Sequence, residues 1–356
     1  MPQEENLQTF KPLIFRNEKE ANNLVSDKKV IRIDAFSRQI RELFFIDNNK
    51  YIGTDKDKAY ESSDFKNYLD SKKDSFVYIY YPWNFHLVKS VDDQDYFRLK
   101  TNRNQDLITA EEQKKLSKYN VAVLGMSVGS NIAFVLAQAG ISKKILLSGV
   151  DELDTTNWIG ILAGVHPVVV NKAIVAARRI YEDNPFADVT ALTEGVTETN
   201  LEPLLKNKEI NCIVEEIDNI PFKIHIRELA IKYKVPVIMI TDNGDGVVLH
   251  IERYDLGHTK IFSQDPAYFE EKISHGEMTK EQAGQVIMFD IVGGPEFVDP
   301  KMLASVKRVI AKELVSWSQL GSAAILGGVI ATVAIKQIAL GSDTRLDVRS
   351  YINPKF

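Results

Sequence analysis

The run Gly125-Met126-Ser127-Val128-Gly129 is where residue types and spacing point most directly to chemistry. It stands between an apolar strand pattern, NVAVL, and an apolar-periodic helix pattern, NIAFVLAQAG, closed by Gly140. A tight turn at such a junction gathers backbone N–H groups and the positive end of a helix dipole on one point, which suits a phosphate. Gly125 permits the turn, Gly129 lets the helix approach closely, and Ser127 adds a hydroxyl donor. One glycine of the G-x-G-x-x-G signature is missing. The same five residues fit G-x-S-x-G, the elbow in which Ser127 would attack an acyl carbon as in α/β-hydrolases. That chemistry needs an acid and then a late histidine, for which His250, His258 and His275 are the candidates. A purely structural turn is the third reading.

The elements around the turn predict the fold. Strand, glycine turn, helix and the strand KKILLSGV form a first βαβ unit, because a parallel pair of strands needs a helical crossover. The alternation continues through a helix NKAIVAARRIYEDNP, a strand DVTALTEGV, a buried strand NCIVEEI, a helix PFKIHIRELAIKYK and a strand VPVIMIT. The expected class is α/β, a Rossmann-like, doubly wound, mostly parallel sheet. Residues 1–95 read as a small α+β module, with charged helical patterns and a β-rich run, FVYIYYPWNFHLV, broken at Pro82. Trp83, Phe85 and His86 there serve packing or an interface as well as they would a ligand. Thr109 and Glu112 have capping-box spacing and start a helix. Within the larger domain, 96–356, the segment 256–305 is irregular and reads as an insertion or lid-like crossover. The sequence RLDVRSYI offers a last strand.

Composition sets limits on the partners. Apolar residues make up 44% and charged residues 26%, ordinary for a globular chain. A net charge of -5 gives no overall pull toward nucleic acid or an anionic membrane. The single cysteine, Cys212, excludes an internal disulfide and paired Cys-x-x-Cys zinc ligands, and a reducing cytoplasm is expected. Cys212 lies in an apolar strand and reads as core, not as a thioester nucleophile. The first residues lack a basic start followed by an apolar stretch, so no secretory leader is expected. Residues 314–335 carry no charge, but serines and glycines dilute the run, which reads as a buried helix more than as a membrane span. Asp242-Asn243-Gly244-Asp245-Gly246 looks like part of a calcium loop but lacks the later bidentate acid, so a turn is expected.

Taken in order, the pieces from Arg98 to about Asp255 resemble the ThiF/MoeB/ubiquitin-activating superfamily, whose members adenylate a carboxylate with MgATP. TNRNQ offers Arg103 for that family's arginine, which reaches the ATP phosphates, often across a dimer. After the second strand the family shows Asp-x-Asp and then Asn-Leu-Asn-Arg. Here the chain reads SGVDELDTTNWIGIL, so Asp151 and Asn157 match while Gly149 replaces the ribose-holding acid and Gly160 the arginine. The Gly-x-x-Lys-Ala helix start keeps Lys172 without its glycine, and the downstream Asn-Pro is present as Asn184-Pro185. Asp218-Asn219 falls where the family places the aspartate that supports magnesium. YIYYPWNFHLV, RLKTNRNQDLITAEEQ and SWSQLGSAAILGGV extend the likeness to a bacterial ThiF-like subgroup, some of whose members are fused to nitroreductase-like domains.

The resemblance implies a role for each residue. The Gly125, Ser127 and Gly129 turn, Asp151, Asn157 and Lys172 would bind ATP, Asp218 would hold Mg²⁺, and Lys172 with Arg103 would neutralise the triphosphate. No zinc is expected. The substrate would be a carboxylate on a peptide, a carrier protein or a small acid, and the active form a homodimer. The losses at Gly149 and Gly160 leave a second expectation, a catalytically inactive ThiF-like binding or dimerisation subunit.

Overall fold

Pro82, which cannot donate to a ladder, ends one strand and lets the chain turn back on itself. The computed structural model describes residues 5–25, 29–273, 277–342 and 345–354. Contacts divide the chain into two units, Met1–Gln113 and Lys114–Phe356.

In the first unit the strands are β1 (Leu13–Phe15), β2 (Ile31–Asp34), β3 (Phe76–Tyr81) and β4 (His86–Val91). They make one mixed sheet of order β1-β3-β4-β2, with β3 and β4 a hairpin around Pro82 and β2 parallel to β4. The helix Phe36–Asp47 buries Phe36, Ile40, Leu43 and Phe44 at helical spacing, and Phe65 and Val91 complete that core. Thr109 and Glu112 form the expected reciprocal pair. The Thr109 N–H donates to the Glu112 carboxylate at 2.8 Å, and the Glu112 N–H donates to the Thr109 hydroxyl at 3.2 Å.

The second unit holds β5 (Val121–Leu124), β6 (Lys144–Ser148), β7 (Asp188–Leu192), β8 (Cys212–Glu215), β9 (Val237–Asn243), β10 (Gly246–Glu252) and β11 (Asp347–Ile352). Their order is β11-β10-β9-β8-β5-β6-β7. The five from β9 to β7 are parallel, and β10 runs antiparallel to both β9 and β11. The β5 strand, first in sequence, sits between β6 and β8, so the direction of winding reverses between β5 and β8. All four residues of β5 and of β8 are buried, as helices on both faces require.

The helix Gly321–Leu340, long and apolar enough to cross a membrane, packs on the Val128–Gln138 helix and on β9 and β10. Two glycines make that approach possible: a Cβ on Gly328 would meet the Asn131 backbone at 3.1 Å, and one on Gly327 would meet Ile240 Cγ2 at 2.7 Å. The irregular segment is a packed layer. Its Ile261, Phe262, Phe269, Val286 and Ile291 share a core with Ile220, Ile224 and Met239. Asp242 to Gly246 spans the end of the β9–β10 hairpin, whose two-residue turn is Gly244-Asp245 between the paired Asn243 and Gly246, with Gly244 at φ +65°.

Candidate functional site

The end of β5 faces the end of β8 at the reversal point, where ligands bind in sheets of this kind. The Gly125 N–H donates to the Ser148 carbonyl at 2.8 Å, and the Glu216 N–H donates to the Leu124 carbonyl at 2.7 Å. Gly125 has φ +98°, and a Cβ there would stand 2.3 Å from the Glu216 carbonyl oxygen, so only glycine fits. Gly129 is close to Val123 Cγ1, 2.9 Å from its would-be Cβ, which lets the helix settle on the strand. Ser127 is the N-cap of Val128–Gln138, yet its hydroxyl caps none of the leading N–H groups. The 3-10 helix Thr155–Gly160 is tied to this helix start, because Asn131 Nδ2 donates to the Gly160 carbonyl at 2.7 Å. A Cβ on Gly160 would lie 3.5 Å from Ser127 Oγ, an ordinary contact.

Lys172 opens the helix Lys172–Asp183, which Asn171 caps by accepting from the Ala173 N–H at 2.8 Å. The Lys172 N–H donates to the Asp151 carbonyl at 2.9 Å, and Lys172 Nζ lies 3.4 Å from Asp151 Oδ2. These two predicted residues are therefore brought together. Asn157 is half-buried in the 3-10 helix, its N–H donating to the Asp154 carbonyl. Asp218 is exposed beyond β8, directly before Asn219, whose side chain caps Ile220–Tyr233 through the Phe222 N–H at 2.9 Å. Arg103 belongs to the first unit, exposed on the 3-10 turn Asn102–Asn104.

Behind the end of β8 lies a buried charge network that sequence patterns alone did not reveal. Arg227 donates to Glu215 at 2.8 Å and to Glu252 at 2.7 Å, and Lys223 Nζ reaches Glu215 at 3.1 Å. Burial alone would push the Glu215 carboxyl up, but Lys223 and Arg227 hold it below its ordinary range. Glu216 was missed as well. Its carboxylate accepts from the Ile240 N–H at 2.8 Å, and burial pushes it well above the usual carboxylate range. Burial also raises Asp242 to about 6, and its Oδ1 has no hydrogen-bond partner. An acidic residue directly after a buried strand, as in IVEEIDN, was the available signal for Glu216.

The hydrolase reading finds no base among the described residues. Among the described residues no histidine is hydrogen-bonded to Ser127. His250 is buried in β10, packs edge-on against Phe262, and is pushed by burial to about 3, which keeps it neutral. His258 stacks on Tyr254, and His275 lies outside the described residues. Cys212 is fully buried, and burial pushes its thiol up, as expected of a core residue.

A doubly wound sheet with its glycine turn at the reversal point defines a Rossmann-like domain with a prospective phosphate site. Residues 99–351 match the ThiF family, and the chain belongs to that family. One relative is the uncharacterized protein MT1398 of Mycobacterium tuberculosis (strain CDC 1551 / Oshkosh), 30% identical over 263 residues, which are 74% of this chain and 36% of the relative. Another is the tRNA threonylcarbamoyladenosine dehydratase of Bacillus subtilis (strain 168), 32% identical over 139 residues, 38% of this chain and 54% of the relative. The chain thus spans between about a third and about half of these relatives' length. Among solved structures, the E. coli tRNA N6-threonylcarbamoyladenosine dehydratase TcdA with AMP superposes at a TM-score of 0.50 and 19% identity, covering 71% of this chain and 98% of that one. PaaA superposes at 0.50 and 18% identity, covering 71% and 77%. Both likenesses concern the fold.

Proposed function

We propose that this protein is a ThiF-like adenylyltransferase, which activates a carboxylate with MgATP to an acyl-adenylate and pyrophosphate. The observation that carries the proposal is Lys172, almost buried and held beside Asp151 in the domain whose glycine turn stands at the sheet's reversal point. The turn fits a phosphate: Gly125 accepts the left-handed backbone, and the uncapped N–H groups after Ser127 present donors. The superposed TcdA is a complex with AMP, which agrees with this reading.

In the proposed reaction a carboxylate oxygen attacks the α-phosphorus, the bond to the β-phosphate breaks, and pyrophosphate leaves. No general base is required, because the carboxylate is already ionised. The protein's contribution is alignment and charge. Lys172 neutralises phosphate oxygens, Asn157 orients them, and the exposed Asp218 is the group that would hold Mg²⁺. Arg103 is assigned to the site of a second copy in a homodimer. The carboxylate belongs to a peptide, a carrier protein or a small acid.

A non-catalytic ThiF-like subunit is the second reading, favoured by glycine at positions 149 and 160. Calorimetric titration of MgATP into the protein and into Lys172→Ala and Asp218→Ala separates the two. Saturable binding lost in both variants supports the enzyme and leads to pyrophosphate exchange with a panel of carboxylates. Absence of binding at millimolar MgATP, with the fold intact, leaves the non-catalytic reading.

A further inference from the structure

The second residue of the glycine turn is Met126, and only 3% of it is exposed. Gly149 follows β6 directly and is held on both sides: its N–H donates to the Leu192 carbonyl at 3.2 Å, and its carbonyl accepts from Asn171 Nδ2 at 2.9 Å. Its backbone is not left-handed, so conformation does not require glycine there. Met126 does. A Cβ on Gly149 would stand 2.9 Å from Met126 Cγ and 3.1 Å from Met126 Cβ. A Cβ is fixed by its own backbone and cannot swing aside. The next atom, the Met126 backbone nitrogen, is at 3.8 Å, an ordinary contact. Residues 126 and 149 are therefore one packing unit, in which a side chain at the second would require the Met126 side chain to shift.

In doubly wound nucleotide-binding sheets, the end of the strand beside the glycine turn carries the acid that holds the ribose hydroxyls. Position 149 is that end, and a Cβ there is where such an acid would begin. Asp151, two residues on, is turned to Lys172 instead. We propose, resting on the nucleotide-binding reading above, that Met126 makes this site indifferent to the sugar hydroxyls: nucleotide is held by its phosphates, and ribose and dideoxyribose forms bind alike.

The test is calorimetric titration of the unaltered protein with MgATP and with the magnesium complex of 2′,3′-dideoxy-ATP. Dissociation constants within about twofold of each other are expected, because no charge-assisted hydrogen bond to the sugar is lost. A dideoxy form bound about tenfold or more weakly, as loss of such a bond gives, overturns this inference and leaves the nucleotide-binding reading standing. Failure of both nucleotides to bind overturns the two together. The double variant Met126→Gly/Gly149→Asp, folded by circular dichroism, is expected to gain about a tenfold preference for ATP over the dideoxy form. A folded double variant without that gain also overturns the inference, and the comparison on the unaltered protein decides without it.

Discussion

Lys172 and Asp151 form an ion pair at 3.4 Å in which the lysine side chain is 9% exposed and the aspartate 72% exposed. A pair with one partner in water contributes about 0–1 kcal/mol to stability, because water screens it and competes for both groups. Lys172→Met, which keeps the apolar stem, should therefore change urea-unfolding stability by less than about 1 kcal/mol. MgATP affinity should fall about tenfold or more, the worth of a charge-assisted contact to phosphate. A large stability loss with unchanged binding would show that Lys172 is a structural residue only.

Gly125 and Gly129 should respond differently to alanine. At Gly125 the new Cβ meets a backbone carbonyl at 2.3 Å on a left-handed residue, so neither neighbour nor backbone can give. Gly125→Ala should cost about 3 kcal/mol or more, or prevent folding. At Gly129 the obstacle is Val123 Cγ1, on a buried, β-branched side chain that must shift but is not backbone, and Gly129→Ala should cost about 1–3 kcal/mol, less than Gly125→Ala. Equal losses in urea titrations would mean the turn is not as tight as described.

Removing Arg227 should be costly in a way that surface charges are not. Arg227→Ala leaves Glu215 and Glu252, both fully buried, short of their shared partner. Breaking a buried pair in this manner costs about 3–5 kcal/mol, read as a lower denaturant midpoint. A loss below about 1 kcal/mol would mean that water enters the network and solvates the two carboxylates.

Asp242 gives stability a pH dependence of its own. Burial raises its carboxyl from an ordinary 3.8 to about 6. An acid with the higher pKa in the folded state binds its proton more tightly there. Its contribution is therefore fully present below about pH 4 and is lost as the pH rises through about 6. The difference amounts to about 2–3 kcal/mol. Asp242→Asn should thus be more stable than the parent at pH 7.5, with the advantage gone at pH 3.5, as measured by urea unfolding at both values. An advantage of the same size at both pH values would assign the effect to packing.

The parallel sheet was legible because each β-element announces itself locally. VAVL, ILL and CIV are unbroken apolar runs, and Gly140 closes the helix between the first two. Other elements were hidden for physical reasons. The helix Glu198–Lys206 carries Pro203 inside a short sequence and leans on its Thr197 and Asn200 cap, so propensity alone argues against it. Strand β10 follows a turn-rich run at once, and its buried residues show no alternation. At the site, the Gly125 turn was readable from spacing, whereas Lys172 stood out only through the family resemblance. The meaning of Gly149 was not readable, because it depends on a contact with Met126 that spans 23 residues, just as Arg227 reaches Glu215 across 12 and Glu252 across 25.

The helix Gly321–Leu340 has a consequence for how the chain is made. Its receiving surfaces, the Val128–Gln138 helix and strands β9 and β10, all precede it in sequence. During synthesis, which proceeds from the N-terminus, the groove is thus available before the ribosome delivers the apolar helix that fills it. A segment with a mean hydropathy of 1.9, the kind a translocation channel would accept, is buried in the folded domain against surfaces whose residues all come before it. Of the seven strands in that sheet, β11 alone, pairing with β10, is made after it.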